Sequence, residues 1–400
     1  MKILVNWDYE RPDLMKQFDI LKQDIEFVFI YKNSEPQEGK ELLYGQHVLY
    51  WNNFNSPYQL LNEAKPDKII FHDIESFLQV SLNIAAQNTG IQTLVFEHGL
   101  RGDYEVDIAL QSYTSTIAKR TRTNGNEDSK LSAKNKSSLQ FYLRAFKLKN
   151  IASLFHFLLF PFIRKKYGLT VGLYKCPFKL REANTYINFT NHNASYILKR
   201  DGVSIKKIIS IGNPCFDDIF IQLGKTIKNS ANYYLLIDCP YCEQSIFKMK
   251  KETKAAFYLK LNAFCLAHNS RLKIKLHPQS YAAEYLPLHA NIEYFREFNI
   301  AELIANAKAC FLINLSTLSP LAMYYSKCVY FNTEINPYDK ELIDNEYIPS
   351  YNFNTFNPSE LIFTELTSEV KKEIKERYLY STDGKATERL SKILNQSWLI

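Results

Sequence analysis

The sequence predicts a tandem α/β protein in which two halves each build a mostly parallel sheet covered by helices. Three observations carry this. The chain has 400 residues, and single cores stop growing beyond about 250–300 residues. Short apolar runs alternate with amphipathic stretches of helical period, the pattern of parallel layered sheets. The clearest polar motifs stand directly after buried runs, and the carboxyl ends of parallel strands are where such sheets bind ligands.

Taken in order, Lys2–Asn6 reads as a first strand, Ile25–Tyr31 as a second and Val48–Trp51 as a short third. A helix over Tyr58–Glu63 leads through the turn at Pro66-Asp67 to a strand at Lys68–Phe71. The helix Phe77–Asn88 stops at Gly90, and Gln92–Phe96 is a buried strand. Thr185–Phe189 and Lys207–Ile211 repeat the strand pattern. A second series opens with a strand at Tyr233–Ile237, followed by a long amphipathic helix at Lys251–His268 and a strand at Leu272–Leu276. It continues with a helix at Ile300–Ala307, a strand at Ala309–Ile313, a helix at Leu318–Ser326 and a strand at Cys328–Phe331. The polar stretch Gln222–Asn232 marks the boundary. This predicts a first domain over 1–225, a second over 226–367, and a charged C-terminal helix over 368–400 that crosses back to the first.

The formal net charge of +7 is unevenly placed. Between Ala118 and Arg181 Lys and Arg recur throughout, while the only acids are Glu127 and Asp128. This basic insertion, 118–181, interrupts the alternation. Leu139, Tyr142, Leu143, Phe146 and then Ile151, Leu154, Phe155 and Leu158 recur near helical spacing. A basic segment with bulky apolar residues fits a helix lying in an anionic membrane interface. The competing reading is an insertion packed on the body with a solvated basic face. Seven cysteines, an odd number set in apolar runs, fit reduced thiols. Cys239-Pro240-Tyr241-Cys242 stands alone, without a second such pair to complete a zinc site. The chain opens directly into a strand, and no apolar run reaches the roughly 20 residues a spanning helix needs. A cytoplasmic protein, peripheral at the inner membrane face, is the expectation.

Three motifs carry the chemistry. At Phe96-Glu97-His98-Gly99, Glu97 and His98 are the titratable side chains at a strand end, and either suits a general base on a hydroxyl. Gly99 permits a tight turn. The same residues also read as a satisfied turn. At Leu276-His277-Pro278, Pro278 stops a strand and His277 projects at the crevice, where an imidazole can donate to a phosphate oxygen. At Asn314-Leu315-Ser316-Thr317, two hydroxyls precede a helix that they can cap, and its free N–H groups suit an anion.

The set resembles a known family. Gly212-Asn213-Pro214-Cys215-Phe216-Asp217 looks like the junction common in GT-B glycosyltransferases, which pair two Rossmann-like domains with parallel sheets across a cleft. A His-Pro after a basic strand, then a Ser-Thr pair opening a helix, resembles the bacterial sialyltransferase, polysialyltransferase and Kdo-transferase group. Glu97-His98-Gly99 resembles that group's acidic motif, and equally the turn of capsule transferases and CDP-glycerol glycerophosphotransferases. The resemblance covers roughly residues 65–335, apart from the basic insertion. It implies that Glu97 is the general base, with His98 the base in the glycerophosphotransferase-like reading. It implies that His277, with Pro278, Ser316, Thr317, Gly99 and Asn213, serves the donor phosphate and the departing nucleotide. The expected activity is inverting, metal-independent transfer of a sialic acid- or Kdo-like sugar from a CMP-activated donor, with no cofactor. Its partners would be a glycan or lipid-linked acceptor of surface polysaccharide synthesis and an anionic membrane surface, not nucleic acid. A CDP-glycerol-type polyol-phosphate transferase, a UDP-sugar 2-epimerase-like enzyme and an inactive GT-B scaffold are the alternatives.

Overall fold

The computed structural model describes residues 1–7, 15, 18, 20–21, 24–31, 47–97, 99–101, 104–105, 140–147, 159, 162–163, 166–167, 172, 175, 179–225, 231–243, 249–296, 299–333 and 344–396. They fall into two units. The first takes Met1–Gly99, Asp107–Cys215 and Thr387–Ile400; the second takes Leu100–Val106 and Phe216–Ala386.

The sheet of the first unit is built from β1 (Lys2–Asn6), β2 (Glu26–Ile30), β3 (His47–Leu49), β4 (Lys68–Phe71), β5 (Gln92–Phe96), β6 (Thr185–Asn188) and β7 (Ile208–Ser210). Its order is β3-β2-β1-β4-β5-β6-β7, every neighbouring pair parallel. The order reverses between β1 and β4, the switch point of a doubly wound sheet. Strand interiors are Val, Ile, Leu and Phe because both faces are covered. Ile3, Val5, Phe96 and Ile187 face one core, which Trp7 and Phe18 fill with edge-on ring contacts.

Local signals set the helices. Helix α1 (Pro57–Ala64) starts on the Ser56 hydroxyl, which accepts from Gln59 N, with Pro57 in its first turn. Helix α2 (Phe77–Thr89) has a full capping box between Ser76 and Gln79 and ends at Gly90 in the left-handed conformation (φ 77°). Helix α3 (Asn191–Asp201) is capped by Thr190. The C-terminal helix Ala386–Asn395 packs Leu390, Ile393 and Leu394 into the first unit's core. Lys68 Nζ donates to the carbonyls of Leu394 (2.5 Å) and Gln396 (2.7 Å), satisfying the end of that helix.

Within the basic insertion, 140–147 packs on the body. Phe141, Tyr142 and Ala145 are buried; Tyr142 meets Phe77 and Phe141 meets Trp51 edge-on. Tyr58 donates to Ala145 O (2.9 Å). Phe146, half-buried, lies against Tyr142 at 4.7 Å between ring centroids. Leu139, Ile151, Leu154, Phe155 and Leu158 lie outside the described residues.

The second sheet contains β8 (Tyr233–Ile237), β9 (Arg271–Lys275), β10 (Ile292–Phe295), β11 (Cys310–Leu312), β12 (Cys328–Asn332) and β13 (Ser350–Asn352). Its order is β10-β9-β8-β11-β12-β13, again parallel throughout. Alternate strand residues feed opposite cores. Leu235, Ile237 and Leu312 meet the helices α4 (Asp217–Lys225), α6 (Ile300–Asn306) and α7 (Ser319–Tyr325). Leu236, Ile274 and Phe311 meet α5 (Lys251–Ala267), whose Phe257, Leu261 and Phe264 fill the other side.

Two boundaries differ from expectation. The second unit begins at Phe216, not after 225, because α4 buries Phe216, Phe220 and Leu223 in the second core. The expected continuous helix over 368–395 is broken. It runs as α8 (Ser368–Ile374) and a π-helical turn (Lys375–Leu379), then stops at Tyr380 (φ 64°). Gly384 (φ 67°), whose Cβ would meet Ile221 at 2.9 Å, turns the chain before Ala386. Among the described residues no helix is long and apolar enough to cross a membrane.

Candidate active site

In the second unit, β9, β8 and β11 are adjacent and parallel, so the loops that follow them share one sheet edge. His277 and Pro278 follow β9, Asp238 and Cys239 follow β8, and Ser316 and Thr317 follow β11. The β9 loop is tightly tethered. Lys275 Nζ donates to Leu276 O (2.9 Å) and Arg296 O (2.7 Å). The backbone N–H of His277 donates to Asp238 Oδ2 (3.3 Å). His277 then caps the short 3-10 turn Pro278–Ser280, its Nδ1 accepting from Gln279 N (3.2 Å). An imidazole that accepts at Nδ1 carries its proton at Nε2. Burial pushes the His277 pKa down, Lys254 and Lys275 push the same way, and Asp238 and Glu243 oppose them. His277 is therefore a neutral ring offering an Nε2–H donor.

The Ser-Thr pair is used differently from expectation. The N-cap of α7 is Leu318, which has no polar side-chain atom and makes no capping bond, and Pro320 sits in the first turn. Ser316 instead pairs through its hydroxyl with Ser319 Oγ (3.1 Å), which donates to Asn314 O (2.7 Å). Thr317 Oγ1 accepts from Leu100 N (3.3 Å). Both hydroxyls belong to a folded-back loop beside the β8 loop, neither capping the helix.

In the first unit, Glu97 extends the β5 ladder by donating its N–H to Ile187 O (3.1 Å), and the residue is 1% exposed. Beside it the Asn188 side chain is fully buried, and neither end of its amide has a hydrogen-bond partner. The Gly99 carbonyl accepts from Asn193 Nδ2 (2.7 Å) in the first turn of α3, which ties the turn after β5 to the helix after β6. Asn213 is a turn residue whose Oδ1 accepts from Cys215 N (3.0 Å). His98 lies outside the described residues. Asp201 accepts from both Arg181 (2.5 Å) and Arg200 (2.9 Å), and Arg200 reaches Glu75 (3.2 Å), a buried network that ties the end of α3 to the turn Lys179–Arg181 and to the segment before α2.

Cys239 is a buried thiol and Cys242 a half-buried one. Burial raises the Cys242 pKa, so that sulfur is a poor nucleophile. Among the described residues no three His, Cys, Asp or Glu side chains gather as a metal site.

The alpha-2,8-polysialyltransferase (POLYST) family model matches residues 36–309, more than half of the chain. The chain belongs to the polysialyltransferase family. It is a glycosyltransferase with the GT-B fold of two parallel-sheet α/β units. Solved structures agree on the fold. The calicheamicin glycosyltransferase CalG4 is 13% identical with a TM-score of 0.51, covering 100% of this chain and 99% of its own. The UDP-GlcNAc 2-epimerase of Neisseria meningitidis is 12% identical with a TM-score of 0.51, covering 99% and 100%. The wall teichoic acid polymerase TagF is 11% identical with a TM-score of 0.50, covering 98% and 88%. No curated protein sequence matches the chain.

Proposed function

We propose that this polysialyltransferase-family protein moves a sialic acid- or Kdo-like sugar from a CMP-activated donor to a surface glycan acceptor, with inversion and without a metal ion. The observation that carries the reading is His277, a neutral imidazole with its Nε2–H at the sheet edge where Ser316 and Thr317 also stand. Transfer needs a deprotonated acceptor hydroxyl and a stabilised phosphate leaving group. In this reading Glu97, with His98 as the alternative base, takes the hydroxyl proton. The acceptor oxygen bonds to the anomeric carbon from the face opposite the phosphate, and the carbon–oxygen bond to the donor breaks. CMP departs with that electron pair, met by His277 Nε2–H and the hydroxyls of Ser316 and Thr317. Pro278, Gly99 and Asn213 hold the loops.

The same reading places the enzyme at an anionic cytoplasmic membrane face. Phe162 is 73% exposed, and Lys166 and Lys175 both lie over the Tyr167 ring, at 5.0 and 4.9 Å. A basic surface with exposed aromatics suits a lipid-linked acceptor.

The test is product analysis. A CMP-activated sialic acid and an oligosialic acid acceptor, incubated with excess chelator, should release CMP and form a bond of opposite anomeric configuration to the donor's. Transfer only from a CDP- or UDP-activated donor, or only with added divalent metal, would overturn the proposal.

A further inference from the structure

Beneath His277 lies a buried charged cluster that the reaction as proposed does not use. Lys254 and Asp238 form an ion pair (2.9 Å) with both side chains 0% exposed. Lys254 Nζ also donates to Cys239 O (2.7 Å), and Glu243 Oε2 stands 3.7 Å away. Tyr258, one turn further along α5, donates to Asp238 Oδ1 (2.6 Å). Asp238 Oδ2 is left for the backbone N–H of His277, and the Asp238 N–H is fixed on Lys275 O (3.0 Å). One carboxylate thus joins the loop after β8, the loop after β9 and the helix α5.

Stability alone does not call for this pair. Taking two charges out of water costs several kcal/mol per ion, and apolar replacements of similar volume are often neutral or stabilising. An apolar pair, however, offers no acceptor to His277 and no donor to Cys239.

Resting on the reading that His277 meets the departing nucleotide, we infer that Asp238, locked by Lys254 and Tyr258, is the positioning residue of His277. It holds the backbone at one end of the residue while Gln279 N holds Nδ1 at the other, so that Nε2–H has one direction. The charged groups around the ring are Asp238 and Glu243, which favour its protonation, and Lys254 and Lys275, which oppose it.

Two variants of the full-length protein test this, each followed by thermal melting, by kcat and KM with a CMP-activated sialic acid, and by NMR of the His277 ring nitrogens. D238L/K254M replaces the ion pair by an apolar one. It should still fold, melting lower because Tyr258, His277 N–H and Cys239 O lose their partners, lose about 10-fold or more in kcat with little change in KM, and show His277 as a mixture of tautomers. D238N keeps an oxygen for the His277 N–H but loses the charge. It should keep the Nε2–H tautomer, with the ring titrating at lower pH than in the wild type. A folded D238L/K254M with wild-type kcat and a wild-type His277 spectrum overturns the inference. If that variant does not fold, D238N decides: an unmoved His277 titration overturns it. If the NMR signals move as expected while turnover does not, and H277A is also fully active, the reading of His277 has failed instead.

Discussion

Replacing His277 by Asn separates the two jobs of the ring. The Asn Oδ1 falls near the position of Nδ1 and can accept the Gln279 N–H now held at 3.2 Å. The capping bond of the Pro278–Ser280 turn, worth about 1 kcal/mol, is then kept and the loop stays folded. What H277N loses is the Nε2–H. A donor aimed at developing negative charge in a water-poor site contributes about 2.7–4 kcal/mol, or about 10²–10³ in turnover. H277N should therefore melt like the wild type and turn over about 10²-fold or more slowly. H277A loses both functions, with the same fall in turnover and about 1 kcal/mol less stability. The assay is initial rate at saturating donor and acceptor, paired with thermal unfolding. H277N turning over at the wild-type rate would remove the Nε2–H from the mechanism, because the capped loop would then suffice without the donor.

Glu97→Gln should lower kcat by about 10²–10⁴-fold, the span of general-base catalysis, while His98→Ala stays active; the reverse pattern, read in the same rate assay, transfers the base to His98. Asp201→Asn should cost about 3–5 kcal/mol by stranding Arg181 and Arg200, a clear drop in melting temperature. Burial alone would raise the Asp201 pKa, but Arg181 and Arg200 outweigh it and hold the carboxyl below its ordinary value. Its stabilisation is thus full above about pH 4, the unfolded value, and is lost as pH falls through the lower folded value; the wild-type advantage in a pH series of melts should shrink there. The protein should bind anionic vesicles at low salt and release them as salt rises, at about 1 kcal/mol per engaged Lys or Arg. Deleting 121–136 should weaken that part alone and Phe162→Ser the salt-resistant part, with co-sedimentation as the readout and indifference to vesicles as the contrary result.

Much of the fold is legible because the strands of parallel sheets are continuous apolar runs. Lys68–Phe71, Gln92–Phe96 and Tyr233–Ile237 stand between turn residues and form strands with those bounds. The edge strands β10 (Ile-Glu-Tyr-Phe) and β13 (Ser-Tyr-Asn) escape notice because they are short and half-exposed. Helix α3 goes unassigned behind its Asn-rich start; its signals are the Thr190 cap, the basic Lys199-Arg200 in the last turn and Gly202 after it. Of the site, His277 is legible because Pro278 ends a basic strand. The capping role expected of Ser316 and Thr317 fails because Leu318 takes the N-cap position and both hydroxyls are engaged with Ser319 and Leu100. Asp238 and Lys254 leave no mark at all. A lysine on an amphipathic helix reads as solvated, and only three dimensions show it 0% exposed against a carboxylate.

A CMP-activated donor is checked by thermal shift of the purified protein with CMP, CDP and UDP at matched concentrations. A ligand bound only by the folded state adds about 2.7 kcal/mol at a hundred times its Kd. CMP should raise the melting temperature more than CDP or UDP, and H277N should reduce that rise. Stabilisation by UDP or CDP with none by CMP would exclude a CMP-activated donor.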